Sequence, residues 1–191
     1  MNKGKKSLIA LLIIFTAPVI LGTLVFFNKE RLGLGGSTVN YGTLVTPPIP
    51  LNINDLMLAN QQAKKEQTIT KKWKLLYIAP NECDAFCQDR ILLMKRVRLL
   101  MNEEMRRIRT VLVSTDKTLE QNLKNDYPDF IFAQIESATS PFLKQFSQQD
   151  RKPVYMIDPL GNLMMLYPQE KPNHKLMIKD LKRLLKYSRI G

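Results

Sequence analysis

From Ser7 to Phe27 the chain runs for 21 residues without a charge, as SLIALLIIFTAPVILGTLVFF. A helix of that length spans roughly 30 Å, the thickness of a bilayer's hydrocarbon core. Lipid offers the backbone no hydrogen-bond partner, so a lone segment crosses it only as a helix. Lys3, Lys5 and Lys6 precede the run, and basic flanks stay on the cytoplasmic side. The competing form is a cleaved signal peptide, whose apolar region is about 7–15 residues long and ends in a small-x-small site. Here the run is longer, and Thr16-Ala17 is followed by Pro18. The expectation is one uncleaved anchor: residues 1–6 cytoplasmic, 7–27 in a bacterial inner membrane, and everything beyond Phe27 facing the periplasm.

The chain carries 29 basic and 17 acidic residues, a formal charge of +12. Only three of those bases precede the anchor, so the surplus belongs mostly to the residues beyond Phe27. Such a surplus favours lipid head groups, an acidic protein face or nucleic acid. No basic tract is interleaved with aromatics, which sets nucleic acid aside.

Residues 28–70 read as linker and N-terminal extension. GLGGSTVNYG is loosened by glycine, and Pro47, Pro48 and Pro50 stiffen its end. Asn52 to Thr70 is mostly polar and weakly helical, a small decoration of the domain.

Residues 71–191 carry the fold. WKLLYIA (73–79) is an apolar run of the kind that forms a fully buried strand. Phe86, Leu93, Val97, Leu100, Met101, Met105 and Ile108 recur at helical steps, with Arg90, Lys95, Arg96 and Arg98 largely off that face. TVLVS (110–114) reads as a strand, 119–123 as a helix and FIFAQI (130–135) as a third strand. VYMID and LMMLY flank the turn Pro159–Asn162 as a hairpin. A final helix carries Leu176, Met177, Leu181, Leu184 and Leu185 as its apolar stripe. Alternating strands and helices call for a largely parallel sheet with helices on both faces. The closing hairpin and helix narrow this to a thioredoxin-like three-layer α/β/α domain, preceded by a single N-terminal transmembrane helix.

Cys83 and Cys87 are the only cysteines, four apart, just past the first buried strand and at the start of the long helix. Residues i and i+4 stack one turn apart, within the ~7 Å between Cα atoms that a disulfide needs. A helix N-terminus stabilises a thiolate, while Glu82 and Asp84 oppose it. A domain of this size buries a core without a staple, so the pair reads as chemistry: thiol exchange, metal binding, or two inert core cysteines.

WKLLYIAPNECDAFCQ, the long helix after it, VYMIDPLGN and the ending DLKRLLKYSRIG together resemble the SCO/SenC-like proteins, over about Trp73 to Gly191. The resemblance implies a thioredoxin-like domain with a CxxxC pair, acting in the copper-centre biogenesis of cytochrome c oxidase. It implies a cytochrome c oxidase subunit or another assembly factor as partner, and copper, if any cofactor, held on Cys83 and Cys87. The chain also departs from that pattern. Gln88 stands where the family has proline, and Asp150 where it has a copper-binding histidine. The single histidine, His174, opens the last helix beside Asn173, and no third copper ligand can be named. Pro153 stands where thioredoxins carry a cis-proline facing the cysteines, or is an ordinary strand-start proline.

Three readings are open. The first is a thiol-disulfide oxidoreductase in which Cys83 attacks, Cys87 resolves and Pro153 shapes the groove. The second is a copper(I) chaperone using both thiolates. The third is a non-catalytic scaffold docking through its basic surface.

Overall fold

The computed structural model describes residues 3–28, 31–32, 39–53, 69–116, 118–135, 137, 139–146, 153–168 and 171–191. The chain divides into two compact units, Met1–Val39 and Asn40–Gly191.

Among its described residues, the first unit carries one helix, α1 (Lys3–Phe27), with Pro18 inside it. Its leucines, isoleucines and phenylalanines are exposed around the whole circumference. An evenly apolar, exposed helix is what a bilayer accepts and water does not. The hydroxyls of Thr16 and Thr23 donate to the carbonyls of Leu12 and Val19, each at 2.8 Å, so the helix itself satisfies both. α1 is a candidate membrane anchor.

The second unit is a six-stranded mixed sheet in the order β1-β6-β5-β2-β3-β4. Its strands are β1 (Thr43–Pro50), β2 (Trp73–Ile78), β3 (Ile108–Ser114), β4 (Phe130–Gln134), β5 (Val154–Ile157) and β6 (Asn162–Tyr167). β2, β3 and β4 are parallel, and β5, β6 and β1 add to them antiparallel. The helices are α2 (Ala85–Leu99), α3 (Thr118–Leu123), α4 (Pro141–Lys144) and α5 (His174–Tyr187).

Every residue of β2 is buried, because both faces of the sheet are covered. Trp73, Leu75 and Tyr77 point into a core shared with Ile91 and Met94 of α2 and Met177 and Leu181 of α5. Leu76 and Ile78 point the other way, onto Phe142, Leu143 and Phe146 at α4. The three-layer thioredoxin-like expectation therefore holds.

Several local expectations are corrected. Thr43–Pro50, read as tether, is the edge strand β1. Prolines fit there because an edge strand needs only half its N–H groups, and the ladder to β6 shifts register between Leu44 and Ile49. The long helix stops at Leu99. Asn102 takes φ 52°, the left-handed conformation that asparagine tolerates and that ends helices, and a 3-10 turn (Asn102–Arg107) comes next. Ile108 accordingly opens β3 instead of closing the helix. α4, which the periodicity did not reveal, is capped by Ser140, whose Oγ accepts from the Leu143 N–H at 3.2 Å, with Pro141 in the first turn. Of the expected helical decoration at 52–70, residues 54–68 lie outside the described residues.

Two buried charges tie elements together. The Lys74 ammonium donates to the carbonyls of Lys72 (2.8 Å) and Asp158 (3.1 Å). Burial pulls its pKa down to about 8, against the opposing pull of Asp158. Asp180, on α5, accepts the N–H groups of Tyr41 (3.1 Å) and Gly42 (2.9 Å) and lies 3.5 Å from the Tyr167 hydroxyl. The Tyr41 hydroxyl in turn accepts from the Asn173 N–H at 2.9 Å. The entry to β1 is thus clamped onto α5.

Candidate functional site

β2 delivers the chain to the site. The Ala79 N–H donates to Val113 O at 2.8 Å, carrying the β2–β3 ladder one residue past the strand. Pro80 and Asn81 then turn the chain out, and the Asn81 side chain is hydrogen-bonded to the Thr115 hydroxyl. That contact fixes the loop after β2 against the loop after β3, at the carboxyl ends of the parallel strands, where open α/β sheets place their ligands.

Asp84 starts α2. With φ −71° and ψ −176° it sits in extended geometry, and its carboxylate accepts the Cys87 N–H at 2.9 Å. Asp84 O accepts the Gln88 N–H at 3.0 Å, the first intrahelical bond. The acid next to Cys83 is therefore a helix cap as well as a charge, a role legible in the preference for aspartate at that position. Cys83 precedes the cap and Cys87 is the third residue of the helix, so the pair does not lie one above the other on the helix as i and i+4. It bridges the cap, with Cα atoms 5.1 Å apart, joined as a disulfide.

The two sulfurs have different surroundings. Cys87 is fully buried in the core with Tyr77, Ile91 and Met94. Cys83 is half-buried, with Asn81, Glu82, Asp84 and Asp89 exposed around it. An incoming group therefore meets Cys83.

Two residues that sequence reasoning missed complete the setting. Arg90, expected off the apolar face, is 1% exposed. Its guanidinium carbon lies 4.4 Å from the centre of the Phe86 ring, a cation–π contact. The signal was the four-residue step from Phe86, which puts both on one side of α2. Tyr77, on β2, is buried in the same core cluster as Cys87. Burial pushes its phenol up to about 12, with Arg90 lowering it and Asp84 raising it further.

Pro153 is buried at the start of β5. β2 pairs with β5 antiparallel, with Leu76 opposite Tyr155. Two further steps of that register bring Pro153 opposite Ile78, at the end of β2 that leads to the cysteines. Pro153 and the cysteines thus lie at the same end of these two central strands. The Lys152–Pro153 bond lies outside the described residues, and the cis X-Pro bond within them is Thr46–Pro47.

Asp150 also lies outside the described residues. His174 begins α5 beside its cap Asn173, whose side chain accepts from the Lys175 N–H at 2.9 Å. Among the described residues no three His, Cys, Asp or Glu side chains converge. Reduced, the cysteines would offer copper(I) two soft donors, and no third from that set joins them among the described residues.

No curated protein matches the chain by sequence. Among the solved structures that share its fold are two Sco proteins. Arabidopsis thaliana ScoI with copper bound is 16% identical, with a TM-score of 0.52 over 64% of this chain and 89% of that one. Yeast Sco1 with copper bound is 13% identical, with a TM-score of 0.51 over 64% of this chain and 81% of that one. Residues 73–188 match the family of the transmembrane-like, thioredoxin-like C-terminal domain, and the chain belongs to that family.

Proposed function

We propose that this protein is a membrane-anchored, Sco-like thiol–disulfide exchange factor that works in cytochrome c oxidase biogenesis from the periplasmic side of a bacterial inner membrane. The observation that carries the exchange chemistry is the disulfide across the α2 cap, with Cys83 half-buried and Cys87 sealed in the core. A partner thiolate attacks the Cys83 sulfur, the Cys83–Cys87 bond breaks, and Cys87 leaves as a thiolate near the amino end of α2, where the helix dipole favours negative charge. A second partner thiol then attacks the mixed disulfide. The partner leaves oxidised, and the two electrons and two protons remain on Cys83 and Cys87. Run backwards, Cys83 attacks a partner disulfide and Cys87 resolves it. Pro153, at the same end of the sheet, would line the groove that receives the partner segment.

The oxidase assignment rests on the SCO/SenC resemblance of the residues around the cysteines, and the sidedness on the three lysines before α1. Trapping tests the exchange. In membranes, a Cys87→Ser variant is expected to accumulate a mixed disulfide through Cys83. Recovery of no partner, with the native disulfide inert to reduction and the freed thiols inert to alkylation, would defeat the reading. The copper alternative is favoured by one observation, that the Arabidopsis and yeast Sco structures, which share the fold, hold copper. A competition titration of the reduced chain with copper(I) decides it: tight binding lost in both Cys→Ser variants supports a chaperone, and weak binding rejects it.

A further inference from the structure

The basic surplus of this chain is not spread evenly. Residues 171–191 carry seven lysines and arginines and a single acid, Asp180. That acid is buried and clamps β1. On α5, Lys175, Lys179, Lys182 and Lys186 are all exposed. Their spacings of four, three and four set them along one ridge of the helix. The opposite face, Met177, Leu181 and Leu185, is fully used by the core, so the ridge is what α5 presents outward. None of the four has a carboxylate partner among the described residues.

This arrangement works against the helix. Like charges at i and i+4 destabilise it, and Lys175 stands in a first turn without an acid, where the dipole favours negative charge. A face that only needs solubility intersperses both signs. Only Lys186, in the last turn, is favoured by the dipole; the other three draw no benefit from the fold, which points to an anionic surface outside the domain. The exposed acids Glu82, Asp84 and Asp89 lie instead around the disulfide.

The same chain supplies a reason to choose which surface. Residues 28–40 join α1 to the sheet-bearing unit, and thirteen residues cannot span more than about 45 Å. A domain on so short a leash meets the bilayer at high effective concentration, and lysines near anionic lipid are each attracted within a Debye length. We propose that the α5 lysine ridge binds the anionic phospholipid head groups of the bilayer that α1 crosses. This rests on α1 being a membrane-spanning helix.

The full chain, reconstituted into nanodiscs of phosphatidylcholine alone or with added phosphatidylglycerol, provides the test. A water-soluble amine reagent followed by mass spectrometry reads each lysine. With phosphatidylglycerol, labelling of Lys175, Lys179, Lys182 and Lys186 is expected to fall about fivefold or more, to recover in ~0.5 M salt, and to leave exposed Lys144 unchanged. In a Lys179→Glu/Lys182→Glu variant, Lys175 and Lys186 are expected to label equally in both discs. Equal labelling of the native ridge in the two lipids, or protection in both, overturns the proposal while leaving the anchor in place. A chain that does not co-purify with the discs overturns the anchor reading and the ridge together.

Discussion

Asp84 does two things at once, and two substitutions separate them. Its carboxylate caps α2 through the Cys87 N–H, and its charge stands beside the sulfur that an incoming group meets. Asp84→Ala removes both, and is expected to cost about 1 kcal/mol of stability in denaturant titration. Asp84→Asn keeps an equally good cap and removes only the charge. The reduced Asn variant is therefore expected to unfold at nearly the native midpoint, yet to be alkylated at Cys83 several-fold faster at pH 7, because a neighbouring anion disfavours the thiolate. Unchanged alkylation would show that the charge does not reach the sulfur.

At the level of elements, the clamp between β1 and α5 is the contact most open to test. Asp180 is the acceptor for the Tyr41 and Gly42 N–H groups, and a Cβ at Gly42 would lie 2.7 Å from the Tyr167 ring and closer still to Met165. The strand entry therefore needs both the buried carboxylate and the missing side chain. Asp180→Ala leaves buried donors without an acceptor, with an expected cost of roughly 2–3 kcal/mol. Limited proteolysis should then cut within 40–50 before the rest of the domain. A variant as stable as the native chain and cut elsewhere would mean that β1 is held by its ladder to β6 alone. The clamp also pushes the Tyr167 phenol above its ordinary range, through burial first and then the adjacent Asp180.

For the whole molecule, the buried titratable groups set how stability varies with pH. Folded Lys74 sits at about 8 against an ordinary 10.5. Between those values the unfolded chain binds the extra proton, so stability rises with pH. Folded Tyr77 sits at about 12 against an ordinary 10. Above pH 10 the folded chain binds the extra proton, so stability falls. Chemical unfolding of the oxidised chain is expected to show a maximum near pH 10, and Lys74→Met is expected to flatten the rising limb, by on the order of 2 kcal/mol. The disulfide closes only a short loop and so removes little entropy from the unfolded chain. Reducing it is expected to cost roughly 2 kcal/mol while leaving the fold in place. Loss of the far-ultraviolet dichroism on reduction would make the bond a structural staple after all.

Much of this was legible before the structure. The uncharged run from Ser7 to Phe27, the buried character of β2 and the apolar stripe of α5 are local signals, because solvent preference and helical or strand period are written into consecutive residues. So was the cysteine pair just beyond a buried strand. What the chain alone left undecided depends on groups far apart in it. Thr43–Pro50 reads as linker until β6 provides its ladder from far downstream, where Leu44 pairs with Met165. Asp180 is an acid on a helix until the backbone of Tyr41 and Gly42 meets it. Pro153 comes to the end of the sheet that carries the cysteines only because β5 runs antiparallel beside β2. Sequence determined the segments whose period is local and most of their apolar faces; only the tertiary structure decided which distant backbone groups would pair as β1 or satisfy a buried charge, because hydrogen bonds and burial are properties of neighbours in space.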